Sequence, residues 1–191
     1  MKETLKLVGT LTLICLCAGT LLAYINGLTE EPIRAALYAE KMAAVTDVLP
    51  PHDNRPAEAT VAIEEDGRTW TFYTARRGEN YVGAAAESSS QEGYGGTITI
   101  MVGLSADGSV QGVSVLKHKE TPGLGARITE PEFTGRFAGK SLTGTRWAVS
   151  KDQGEIDHIT AATISSRAVV GAVKQAVDVY LKHEKVIRQG H

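Results

Sequence analysis

Hydroxyl side chains gather in one short stretch of this chain. Thr160, Thr163, Ser165 and Ser166 all fall within Asp157-His158-Ile159-Thr160-Ala161-Ala162-Thr163-Ile164-Ser165-Ser166. Directly after it, Val169, Val170, Val173, Val177, Tyr180 and Leu181 recur at the spacing of one helical face. Ser165 or Ser166 is placed to cap that helix, whose first N–H groups have no acceptor of their own and carry partial positive charge. A phosphate fits at such a start, and Thr163 sets a hydroxyl oxygen beside it. The competing reading is a capping turn without a ligand, because Ser and Thr collect before helices in general.

A second group of residues has the makings of a ligand loop: Lys117-His118-Lys119-Glu120-Thr121-Pro122-Gly123-Leu124-Gly125. Pro122 fixes one backbone angle and removes a donor, while Gly123 and Gly125 permit left-handed geometry and a close approach of backbone to a flat ligand. Leu124 would stand out of that turn as an apolar plate. Gly123→Val is the substitution expected to disturb the loop most, since a β-branched residue resists such angles. On residue type alone, His118 and Glu120 read as surface groups. A third segment, Gly93-Tyr94-Gly95-Gly96, leads into the β-rich run Thr97 to Leu104 and a turn at Ala106-Asp107-Gly108.

The first stretch, Asp-x-x-Thr-Ala-Ala-Thr-x-Ser, resembles the flavinylation motif Asp-x-x-(Ser/Thr)-Gly-Ala-Thr-x-(Ser/Thr) of the covalent FMN-binding domain. That domain occurs in the G subunit of the Rnf ion-translocating electron-transport complex and the C subunit of the sodium-pumping NADH:quinone reductase. The second is similar to the His-x-Glu-Thr-Pro-Gly-Leu-Gly loop of the same family, and the third to the Gly-Tyr-Gly-Gly-x-Ile stretch of Rnf G subunits. The quinone-reductase C subunits more often have Gly-Leu-Trp at that place. The resemblance implies FMN joined by a phosphoester to Thr163, with Asp157, Thr160, Ala161, Ala162 and Ser165 completing the attachment turn. It lays His118, Glu120, Thr121, Pro122, Gly123, Leu124 and Gly125 against the isoalloxazine ring. Ala161 stands where the family usually has Gly. A flavin transferase for maturation and the other Rnf-type subunits are the implied partners, and ferredoxin-to-NAD electron transfer coupled to sodium or proton movement is the implied activity of the whole complex. The rival readings are the quinone-reductase C subunit and an anchored binding or sensor module that carries no flavin.

These residues need elements to hold them. Strand-like runs at Thr60 to Glu64, Thr69 to Ala75, Tyr81 to Ala86, Thr97 to Leu104 and Val110 to Lys117, then a short helix near Pro131 to Phe137 and the helix after Ser166, argue an α+β fold with a largely antiparallel central sheet flanked by helices. Upstream, a helical pattern from Pro32 through Ile33, Leu37, Met42, Val45 and Val48 ends at Leu49-Pro50-Pro51. Trp70 and Trp147 read as core, and Arg167 as either a phosphate partner or a solvated side chain.

From Leu7 to Leu28 there is no charge, a run of about 22 residues that spans roughly 33 Å as a helix. Lys2 and Lys6 precede it and Glu30 and Glu31 follow, which puts the N-terminus in the cytoplasm. The expected organisation is thus a cytoplasmic start (1–6), a single transmembrane helix (7–28), a helix and linker (29–58) and an extracytoplasmic FMN-binding domain (59–191), periplasmic to a bacterial inner membrane. A retained anchor is preferred to a cleaved signal, since the run exceeds an ordinary signal core and no Ala-x-Ala pattern follows it.

Composition excludes several classes. The two cysteines, Cys15 and Cys17, both lie in the apolar run, which leaves nothing for an iron-sulfur cluster, a zinc site or a disulfide framework. A net charge of -2 with both signs scattered gives no nucleic-acid footprint. The Gly-x-Gly patterns follow no strand-to-helix unit, so no nicotinamide site is expected. No residue is singled out as catalytic, and no metal is expected.

Overall fold

The computed structural model describes residues 1–190 and divides into two compact units, Met1–Lys41 and the residues from Met42 onward. Helix α1 runs unbroken over Lys2–Val48 and is the one helix among the described residues long and apolar enough to cross a membrane. The sequence pattern starts a new helix near Pro32, whereas in the structure Pro32 lies inside α1. Proline forgoes one backbone bond there, and the helix formers from Ala35 to Ala44 carry the helix past it.

The second unit is built on five strands in a meander: β1 (Thr60–Glu65), β2 (Arg68–Arg77), β3 (Asn80–Gly93), β4 (Gly96–Ser105) and β5 (Val110–Lys117). Every neighbouring pair is antiparallel, and the spatial order equals the chain order. Alternation decides the two faces. On one face Val61, Phe72, Ala84, Ala86, Ile100 and Val102 pack under a long helix, and on the other Tyr73, Ala85 and Met101 meet Val45, Val48 and Leu49 at the end of α1. Gly103 and Gly112 sit opposite each other in the β4–β5 ladder. A Cβ on Gly103 would lie 1.9 Å from the Val48 carbonyl oxygen, so this glycine lets the end of α1 press onto the sheet.

After β5 come a 3-10 turn (Gly125–Thr129), the short helix α2 (Pro131–Thr134), a further 3-10 turn (Gly135–Phe137) and the long helix α3 (Thr163–Gln189). Phe133 and Phe137 stack edge to face, 5.5 Å between ring centres, and both are fully buried. Trp70 is buried in the main core, and the Trp147 indole N–H donates to the Ser141 carbonyl at 3.2 Å. Both tryptophans are therefore structural.

Two boundaries depart from the sequence reading, and both matter for the site. Strand β3 continues seven residues past Ala86 to Gly93, through Ser88-Ser89-Ser90, where the apolar alternation has stopped. Tertiary bonding sustains it: Ser88 is fully buried and its hydroxyl donates to the Ala172 carbonyl of α3 at 2.8 Å. This extension carries the Gly93–Gly96 turn out to the start of α3. The helix itself opens at Thr163, two residues before the first serine expected to cap it.

Candidate functional site

The start of α3 is uncapped. Ala162 occupies the cap position without a side-chain bond, and the first intrahelical bond runs from the Ser166 N–H to the Ala162 carbonyl at 3.0 Å. The N–H groups of Thr163, Ile164 and Ser165 therefore precede the helical ladder and are free of it. The two serines expected as caps do other work. Ser166 accepts from the Ile159 N–H at 3.0 Å and donates to the Ala162 carbonyl at 2.9 Å, while Ser165 turns inward and donates to Glu120 Oε2 at 2.5 Å.

Glu120 is the tie at the centre of the site. It is 5% exposed, and its second oxygen accepts the Gly95 N–H at 2.9 Å. One carboxylate thus joins the loop after β5, the β3–β4 turn and the first turn of α3. Its seat is cut out of glycines. A Cβ on Gly93 would lie 2.7 Å from Glu120 Oε1, one on Gly95 would lie 2.0 Å from the Lys119 carbonyl oxygen, and one on Gly125 would lie 2.6 Å from Glu120 Oε2 and 2.9 Å from Ser165 Oγ. Gly123 serves otherwise: its φ is +74° and open space surrounds it, so it is needed for its backbone angle. Gly125 is needed for its lack of a side chain, which corrects the expectation that both glycines supply left-handed geometry.

These segments enclose a cavity of about 530 Å3, within the usual range for small-molecule sites. The loop contributes Glu120, Thr121, Leu124 and Gly125; the helix start contributes Ala161, Ala162, Thr163, Ile164 and Ser165; the β3–β4 turn contributes Tyr94. Tyr94, Leu124 and Ile164 are 72%, 47% and 46% exposed, and they are three of the four large apolar side chains left exposed in the second unit among the described residues. Exposed apolar surface is therefore concentrated at the cavity mouth, where it marks a binding surface. Tyr94 and Ile164 are not among the residues that the sequence singles out as ligand contacts; there Gly93–Gly96 reads only as a segment leading into a strand.

Other candidate residues stand apart from the cavity. Asp157 is exposed, and its carbonyl accepts from Arg136 Nη1 at 2.5 Å. Thr160 lines a separate cleft of about 110 Å3 with Arg136 and His158. His118 is half-buried and accepts the Glu120 N–H on Nδ1 at 3.2 Å, acting behind the loop, and Pro122 and Gly123 lie outside the cavity lining. Arg167 is exposed, as the solvated reading has it, and it is not part of the cavity lining. It holds Asp152 through two bonds of 2.6 and 2.7 Å, and this pairing lowers the Asp152 carboxyl below its ordinary range.

Ala161 has a φ of +66°, left-handed backbone for a residue with a Cβ. That geometry costs an alanine roughly 1–2 kcal/mol, and this is the physical reason a glycine suits the position. Ala161→Gly, at an exposed site with no packing to lose, is expected to raise stability by about 0.5–1 kcal/mol after the entropy of the unfolded glycine is counted. A urea titration of both forms in detergent reads the difference.

The family model of the FMN-binding domain matches residues 93–178, from the Gly93 turn well into α3 and so across the whole cavity. The chain is 36% identical to the G subunit of the ion-translocating oxidoreductase complex of Salmonella typhimurium, over 92% of this chain and 91% of that one, and 38% identical to its counterpart in Yersinia pestis, over 92% and 90%. The chain belongs to this family of G subunits. Among solved structures it resembles the C subunit of the Na(+)-translocating NADH-quinone reductase of Parabacteroides distasonis (TM-score 0.51, 22% identity, 65% of this chain and 73% of that one) and Shewanella oneidensis NqrC (TM-score 0.54, 20% identity, 69% and 70%). At such identities the likeness is one of fold, and the quinone-reductase alternative fits less well than membership among the G subunits.

Proposed function

We propose that this protein is a membrane-anchored electron-transfer subunit of an Rnf-type ion-translocating complex, holding FMN through a phosphoester to Thr163. The observation that carries the reading is the coincidence, in one cavity, of an uncapped helix start with the Thr163 hydroxyl and a mouth of exposed apolar side chains. A cofactor with an anionic end and a flat apolar ring matches both halves. Bound FMN supplies one- or two-electron transfer, and the protein supplies position and electrostatics.

The residues divide that work. Thr163 offers the oxygen that takes the phosphoryl group, and the N–H groups of Thr163, Ile164 and Ser165 with the α3 dipole stabilise its charge, by up to about 2 kcal/mol in a partly buried setting. Leu124, Ile164 and Tyr94 supply apolar surface to the ring and exclude water from it. Glu120 holds the three segments in register. A flavin transferase makes the attachment, and neighbouring subunits of the complex deliver and collect the electrons, between reduced ferredoxin and NAD overall, with sodium or proton movement coupled to the flow.

An intact mass spectrum of protein matured with a flavin transferase tests the assignment. An adduct of one FMN phosphoester on the 163 segment is expected, and an unmodified, colourless chain would leave the 160–166 turn as a plain helix start. The lysines before the apolar run and the glutamates after it set the domain outside the cytoplasm. A reporter active only outside the cytoplasm, fused to the C-terminus, should therefore give signal, and a silent reporter would reverse the orientation.

A further inference from the structure

Glu120 is more than a contact in the ring site. Among the described residues its carboxylate has no ion-pair partner; its two bonds come from neutral donors, the Ser165 hydroxyl and the Gly95 N–H. The carboxylate lines the cavity, and at 5% exposure water screens it little. Two glycines, Gly93 and Gly125, keep space open around this one side chain, and Gly95 lets the Lys119–Glu120 backbone come close. Holding three segments together does not require a charge, since an amide or hydroxyl network of the same shape would serve. A buried carboxylate without a cation costs desolvation energy, and such a cost is met at sites where the charge has a use.

We infer that Glu120 is a positioning residue that also sets the reduction potential of the flavin, its fixed negative charge holding the potential low and favouring onward release of electrons. The inference rests on the FMN reading of the cavity. A fixed negative charge disfavours the addition of electrons close to it, and the low dielectric of the site strengthens the effect. The field of the α3 N-terminus acts in the opposite sense and is directed at the phosphoryl end. Ser165 moderates the carboxylate by donating to it, so the two side chains push the potential in opposite directions.

The test is redox titration of three flavinylated forms. Glu120→Gln keeps the shape and removes the charge, and its midpoint potential is expected to rise. Ser165→Ala keeps the charge and removes a donor, and its potential is expected to fall. A merely structural role would move both variants the same way, or neither. Covalent fluorescence on a denaturing gel is scored first: a wild-type chain without attached flavin overturns this inference together with the FMN reading. A flavinylated Glu120→Gln whose potential is unchanged or lowered overturns the inference alone.

Discussion

Thr163→Ala is expected to give a folded protein with no covalent flavin. Thr163 is half-buried at the first position of α3, where alanine is a good helix former and the main core is not touched, so stability should change by no more than about 0.5 kcal/mol. The effect on labelling should be complete, because among the described residues no other hydroxyl combines an accessible oxygen with the free N–H groups of a helix start inside this cavity. Ser165 lies two residues on, but its hydroxyl is buried and committed to Glu120. Thr160 is exposed on the far side of the turn, in a different cleft. Thr163→Ser keeps the oxygen and should label in part. The measurement is flavin fluorescence after denaturing electrophoresis, with circular dichroism to confirm the fold. Fluorescence that survives in Thr163→Ala would move the attachment point, and Thr160 would then be the next hydroxyl to replace.

The hydroxyl proposed for attachment and the Pro-Gly loop stand out in the sequence because the features that mark them are local. A hydroxyl before an amphipathic helix and a Pro-Gly turn each carry their signal within a few residues. The strand runs were legible for the same reason, since turns such as Asp66-Gly67 and Asp107-Gly108 punctuate regular alternation. What stayed hidden depends on contacts distant in sequence. Ser88 extends β3 only because α3 lies over it to receive its hydroxyl. Ser165 looks like a cap until Glu120, 45 residues earlier, draws it inward. Tyr94 enters the site because the extended strand carries it there. Pro32 read as a helix start because local propensity gives proline that meaning, and the flanking helix formers overrode it.

The same distinction reverses the ranking of the loop glycines. Sequence alone makes Gly123 the critical one, since a tight turn asks for its left-handed angle. The structure grants the angle, φ +74°, but leaves the position in open space, so Gly123→Val should cost only the backbone term of roughly 1–2 kcal/mol. At Gly125 a side chain would run into Glu120 Oε2 at 2.6 Å and Ser165 Oγ at 2.9 Å. Neither neighbour can retreat cheaply, because each is buried and bonded to the other. Gly125→Val is therefore expected to break the clasp, leaving a buried carboxylate and hydroxyl unsatisfied on top of the overpacking, for a loss of about 3 kcal/mol or more. The substitution meets Glu120 and Ser165 and not Thr163, so covalent labelling should largely persist while the ring loses its seat. Iodide should then quench the attached flavin more strongly than in the wild type, and thermal unfolding should begin earlier than in Gly123→Val. If Gly123→Val proves the more damaging of the two, the loop is held by its turn geometry, and the carboxylate clasp is not what fixes the ring site.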